Sequence, residues 1–160
     1  MRSYSEEARE LLLEFGLIDL HIDSFIPKRL FGYDLDSSHD HPRNPNIFFG
    51  QLDFPRALEQ GMTAGMFSIT TNPIGTPNYR WKVFQKNLRA LKTLIESSKH
   101  PVGWATTYSE MKELNDAGIL ACLPAIQGGN SIEGAPELAL SIEDNAITRI
   151  TLIIRLFLIV

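Results

Sequence analysis

The chain has 160 residues, a net charge of −4 and a pI near 5.5, so it lacks the basic surface that nucleic acid or an anionic membrane would require. With 44% hydrophobic and 21% charged residues it has the composition of a folded domain, which excludes a disordered one. One cysteine, Cys122, forbids an intrachain disulfide and fits a reducing compartment, and the polar residues 1–10 lack the apolar core of a secretory signal. The expectation is a single cytoplasmic domain over residues 1–160, with no nucleic-acid or membrane partner.

In chain order the pattern alternates between helical and extended. Residues 6–15 open with Glu6 and Glu7 and place Leu11, Leu12 and Phe15 on one face, which predicts a short amphipathic helix. An apolar run follows and predicts a strand over 17–24. Residues 33–46 are rich in Asp, Ser, His, Pro and Asn and read as a loop. Asp53 as N-cap with Pro55 in the first turn predicts a helix over 53–60, and Gly61 stops it. A buried strand is expected over 63–71. Val83, Phe84, Leu88, Leu91, Leu94 and Ile95 recur at helical spacing and predict a helix over 81–97. Another helix spans 108–115, before Gly118. A strand over 119–126, a helical piece over 136–142 and a fourth strand over 147–153 complete the pattern. Strands separated by helices form βαβ units, hence a parallel sheet or barrel.

The chemistry-bearing residues fall where those strands end. His21 and Asp23 close the first, Thr70, Thr71 and Asn72 the second, and Gln127 to Asn130 the third. Active sites of parallel α/β folds gather at the carboxyl ends of strands, because the loops there converge. His21 and Asp23 are two apart in a strand, so they share a face, and imidazole and carboxylate both suit zinc. About 0.2 His-x-Asp triplets arise by chance in a chain of this composition, so the pair alone also reads as an ordinary strand end. Taken singly, Thr70 to Asn72 and Gln127 to Asn130 read as turns. His39-Asp40-His41 reads as a solvated polar loop, His100 as a loop residue, Glu133 as solvent-facing on the following helix, and Cys122 as a buried small hydrophobe. No nucleophile elbow, phosphate-binding glycine loop or His-Glu-x-x-His is present in the sequence.

Three segments resemble the renal or membrane dipeptidase family of amidohydrolase-type metallopeptidases. Ile18-Asp19-Leu20-His21-Ile22-Asp23 is similar to the family's first-strand His-x-Asp. Gly50-Gln51-Leu52-Asp53-Phe54-Pro55-Arg56, followed by Gln60-Gly61 and the strand Gly65-Met66-Phe67-Ser68, resembles its Gly-x-x-Asp-x-Pro-Arg helix and second strand. Ala125-Ile126-Gln127-Gly128-Gly129-Asn130-Ser131-Ile132 resembles the strand end that supplies a metal-bridging carboxylate. More weakly, Ile147-Thr148-Arg149-Ile150-Thr151-Leu152 is similar to the strand after it, so the likeness covers residues 16–152.

The resemblance implies a TIM-barrel zinc hydrolase that cleaves a dipeptide amide bond with metal-activated water, His21 and Asp23 serving as ligands of one ion. Gln127 stands where the family has its bridging Glu. An amide offers one neutral oxygen and a donor NH₂, so it bridges two cations poorly, and one or two zinc ions are expected. A TIM barrel also needs eight strands and about 250 residues. The chain is therefore expected to be the first four strands of an incomplete barrel, a fragment or the product of a frame-shifted or prematurely stopped gene. Its open edge and apolar residues 147–160 are expected to drive self-association. Two other readings stay open: a related metal-dependent amidohydrolase acting on a different amide or ester, and a non-catalytic truncated homologue.

Overall fold

The computed structural model describes residues 5–39, 52–72, 74–133, 137, 142 and 147–151. The first helix, α1 (Glu6–Phe15), begins at Ser5, whose hydroxyl accepts from the Ala8 amide. It ends at Gly16, whose φ of 73° turns the chain directly into β1 (Leu17–Ile22). A short helix that the sequence pattern does not announce, α2 (Phe25–Phe31), follows at once. Pro27 sits in its first turn, where the missing N–H costs nothing, and Gly32 closes it in the left-handed region.

The predicted Asp53 cap is present. Its carboxylate accepts from the Arg56 amide and starts α3 (Phe54–Glu59), which leads into β2 (Met62–Thr70). The helix α4 (Pro77–Glu96) begins four residues before the expected start at Trp81, because Thr76 caps it and Pro77 occupies its first position. A second unannounced element, β3 (Val102–Trp104), precedes α5 (Tyr108–Asp116), which Thr107 and Glu110 start with a capping box. Then come β4 (Leu120–Gln127), a single 3₁₀ turn at Gly129–Ser131, and β5 (Arg149–Thr151). The helical piece expected over 136–142 and the end of the strand expected over 147–153 lie outside the described residues.

All five strands are parallel and form one sheet in the order β1-β2-β4-β3, with β5 also on β4. One edge of β4 is taken by β2 over Ala121 to Gln127. The other edge is shared. Its lower half bonds β3 through Leu120 N to Pro101 O and Ala105 N to Cys122 O, its upper half β5 through Thr148 N to Pro124 O and Gly128 N to Thr151 O. Leaving the short β3 aside, β1, β2, β4 and β5 are consecutive neighbours, the wall of an incomplete (β/α) barrel.

The register assigns the two faces. Ile22, Phe67, Ile69, Leu120, Cys122 and Ile126 line one face and pack under Phe54 of α3 and Phe84, Leu91 and Ile95 of α4. These are fully or nearly fully buried, each contributing about 1.5–3 kcal/mol of transfer free energy. Burial in this core pushes the Cys122 thiol up, out of the reactive range. The opposite face carries Ala64, Ala121 and Leu123, covered at the start of the strands by Met111 and Leu114 of α5. Toward the strand ends that face turns polar. Gly65 explains how closely β1 sits against β2, since a Cβ there would collide with Ile22 Cδ1.

Residues 33–39 are loop, as the sequence implies, with Asp34, Ser37 and Ser38 exposed, yet other residues of the loop turn inward. Tyr33 and Leu35 are buried, and His39 is almost so, with only 11% of its side chain exposed. His39 stacks on Tyr33 at 4.1 Å, and both its backbone N–H (3.0 Å) and its ring Nδ1 (3.2 Å) face Asp53 Oδ2. That corrects the reading of His39 as a solvent residue: the buried Asp53 needs donors, and the loop supplies two. Residues 40 and 41 of the same motif lie outside the described residues. No helix among the described residues is long and apolar enough to cross a membrane.

Candidate metal centre

His21 lies near the end of β1, where two of its residues face one of β2 between the pairs Asp19–Gly65 and Ile22–Phe67. Asp19 Oδ1 accepts the His21 backbone N–H at 2.9 Å and stabilises this irregularity. The side chains of His21 and Asp23 converge as the spacing requires, with Nε2 3.2 Å from Oδ2. Both are a little under half exposed, at 43% and 46%, so an ion could reach them from solvent.

Gln127 sits two strands away at the same end of the sheet. Register pairs it with Thr70 on one side and Thr151 on the other, so the three side chains form a polar row on the face opposite the main core. Its Oε1 accepts the Thr70 hydroxyl at 2.8 Å. One row lower stand Ser68, Ala125 and Arg149. The Arg149 side chain leaves this row and reaches β1, where its Nη2 lies 3.2 Å from His21 Nδ1. The structure thus brings His21, Asp23 and Arg149 into contact, and leaves Gln127 bound to Thr70.

The turns beyond the strands are fixed by arginines that the sequence did not single out. Arg29 of α2 donates to the Thr70 carbonyl at 3.0 Å and lies over the Phe25 ring, and burial lowers its pKa. Arg80 of α4 is buried and donates from Nε to Asn130 O (2.6 Å), from Nη1 to Gly75 O (2.6 Å) and from Nη2 to Glu133 Oε2 (2.9 Å). Glu133 is half exposed and held by Arg80, on a turn and not on a helix. Asn130 donates to the Thr71 carbonyl at 2.7 Å, so its amide ties the turn after β4 to the end of β2. His100 is a loop residue as expected, its Nε2 2.9 Å from the Asp36 carbonyl. An arginine inside a β-branched strand is the signal that could have pointed to Arg149, because a cation on an inward strand position needs a partner there.

The donor set fits a metal in part. His21 Nε2 and Asp23 Oδ2 are chemically suited to zinc and close enough to share an ion. A catalytic zinc needs three protein ligands, and among the described residues no group of three or more His, Cys, Asp or Glu side chains is placed to hold an ion. Gln127 contributes a neutral oxygen that is already engaged. The described residues therefore supply two anchors for one ion and no carboxylate bridge for a second.

The sheet is shared with solved metallohydrolases at low sequence identity. The crystal structure of the dipeptidase AC, a metallopeptidase, superposes with a TM-score of 0.66 at 15% identity, over 84% of this chain and 41% of that one. The probable dipeptidase PvdM from Pseudomonas aeruginosa gives 0.66 at 16% identity, over 92% of this chain and 37% of that one. A Rhodobacter sphaeroides metallopeptidase, liganded with a phosphinate mimic of the dipeptide L-Ala-D-Ala, gives 0.62 at 13%, over 82% and 43%. The chain thus spans about two-fifths of the length of these structures. No curated protein sequence matches it. Residues 5–155 match the membrane dipeptidase family, peptidase family M19, and the chain belongs to that family.

Proposed function

We propose that this chain carries the first-strand half of the metal site of a zinc-dependent dipeptidase, with His21 and Asp23 as ligands of one ion. The observation that carries the reading is the convergence of these two side chains to 3.2 Å at the carboxyl end of a parallel sheet, in a family of metallodipeptidases. Zinc held there would lower the pKa of a bound water and polarise a substrate carbonyl. The protein's own contribution is to orient: Asp19 fixes the His21 backbone, and Gln127 stays locked on Thr70 beside the site. The substrate class is a dipeptide, supported by the dipeptide mimic held in the Rhodobacter relative.

A second reading, a related amidohydrolase with a different amide or ester substrate, draws on one residue. Gln127 removes the negative charge that would bridge two ions, and an amidohydrolase from Pseudomonas aeruginosa shares part of the fold, with a TM-score of 0.53 over 62% of this chain and 29% of that one. Zinc titration with a panel of dipeptides, other amides and esters tests both. The proposal expects zinc binding that depends on His21 and Asp23. It also expects no dipeptide turnover by the 160-residue chain, because the two ligands that the described residues supply do not complete a catalytic zinc. Zinc-dependent dipeptide turnover by this chain would contradict the ligand count, and turnover of other amides alone would favour the second reading. Zinc binding indifferent to His21 and Asp23 would overturn the metal assignment.

A further inference from the structure

Arg149 has a place in this site that neither the fold nor the ligand pair requires. Its guanidinium is a permanent donor with no acceptor, so the atom that it meets at 3.2 Å, His21 Nδ1, must present a lone pair. A neutral imidazole then carries its proton on Nε2, and that N–H points at Asp23 Oδ2, also at 3.2 Å. In this arrangement neither ring nitrogen has a lone pair to give an ion. Ligation through Nδ1 would put the ion where the guanidinium stands. Ligation through Nε2 would move the proton to Nδ1, where an N–H would face an N–H. Metal-bound histidines need the reverse, an acceptor behind the second nitrogen. Either way the arginine must leave first.

The contacts of Arg149 also suit a group that can leave. Its Nε is buried without a hydrogen-bond partner among the described residues, so Nη2 to His21 is its directional tie there. It stands in register with Ala125, whose methyl group offers it none. We propose that Arg149 sets the metal affinity of the site: it holds His21 in the tautomer that cannot ligate, and an ion enters only when the guanidinium swings out. The proposal rests on the reading of His21 and Asp23 as metal ligands, and its test separates the two.

Zinc affinity is measured by competition with a chromophoric chelator for wild type, His21→Ala, Arg149→Met, Arg149→Lys and Arg149→Met/His21→Ala. Removing a second donor and a like charge beside the ligand should tighten zinc about 10- to 100-fold in Arg149→Met, the range over which groups behind a ligand act. Arg149→Lys keeps the cation and should stay near wild type, and the double variant should lose the gain. Equal affinity in wild type and Arg149→Met, both dependent on His21, overturns the role of Arg149 and leaves the ligand assignment standing. Affinity independent of His21 in every variant overturns both. A second readout needs no variant: ¹⁵N imidazole shifts of metal-free wild type at neutral pH should report His21 protonated on Nε2. Protonation on Nδ1 overturns the proposal.

Discussion

Replacing Asp53 by Ala should be among the most damaging single changes in the described residues. The carboxylate is fully buried and accepts from the Arg56 amide and the His39 amide, both at 3.0 Å, and from Arg56 Nε at 2.6 Å. Burial works against the Arg56 charge, but the hydrogen bond and the charge of Asp53 outweigh it and hold the guanidinium above its ordinary pKa. Loss of the helix cap costs about 1 kcal/mol. Breaking a buried ion pair from one side costs about 3–5 kcal/mol, and the 27% exposure of Arg56 argues for the lower end. A total of about 3–4 kcal/mol is a large share of the roughly 5–15 kcal/mol that holds a domain folded. Urea unfolding followed by circular dichroism should show a lower midpoint at unchanged slope. Asp53→Asn, which keeps the cap and loses the charge, should fall between the two. A loss under about 1 kcal/mol for Asp53→Ala would refute the view that this knot ties loop 33–39 to α3.

Four further outcomes follow from single contacts. Backbone and hydroxyl donors of Thr106 and the Thr107 amide hold the Glu110 carboxyl below its usual range. A depressed folded pKa stabilises above the unfolded value and is lost as pH falls through the folded one, so the acid limb of a stability–pH profile should shrink in Glu110→Gln. Gly65→Ala should cost about 1–3 kcal/mol in chemical unfolding, since its Cβ meets Ile22 in a closed core, and an unchanged midpoint would show that β1 can retreat. In a complete barrel, Gln127→Glu should raise zinc occupancy toward two per chain by supplying an anionic bridge. Wild type already holding two tight ions would contradict this. Leu13, Phe15 and Leu20 are more than half exposed on α1 and the edge strand β1, so the chain should bind a hydrophobic dye and associate in sedimentation; a dye-silent monomer would refute this.

The strands and helices with a complete pattern were legible from the sequence because burial and local chemistry agree in them. β4 is apolar along its length, α5 carries its own capping box, and Asp53 with Pro55 marks the start of α3. α2 and β3 were missed for physical reasons. A seven-residue helix containing Pro27 has too few turns to show a period, and three residues of β3 show no alternation. Of the candidate site, the His21–Asp23 pair was visible because residues two apart near a strand end fall on one side, although Asp23 lies just past β1 and Asp19 holds the irregular strand end. The partner of His39 was hidden, since Asp53 already had a role as a cap. Arg149 was hidden because its contact joins β5 to β1, positions 128 residues apart that only the curvature of the sheet brings together.

The most direct test of the metal assignment is equilibrium dialysis of the chain against zinc, compared with His21→Ala/Asp23→Ala. Both side chains are partly exposed and anchor no core contact, so the double variant should keep the fold by circular dichroism. The account predicts one zinc site in wild type that disappears in the double variant. Equal zinc binding by the two folded proteins would contradict it.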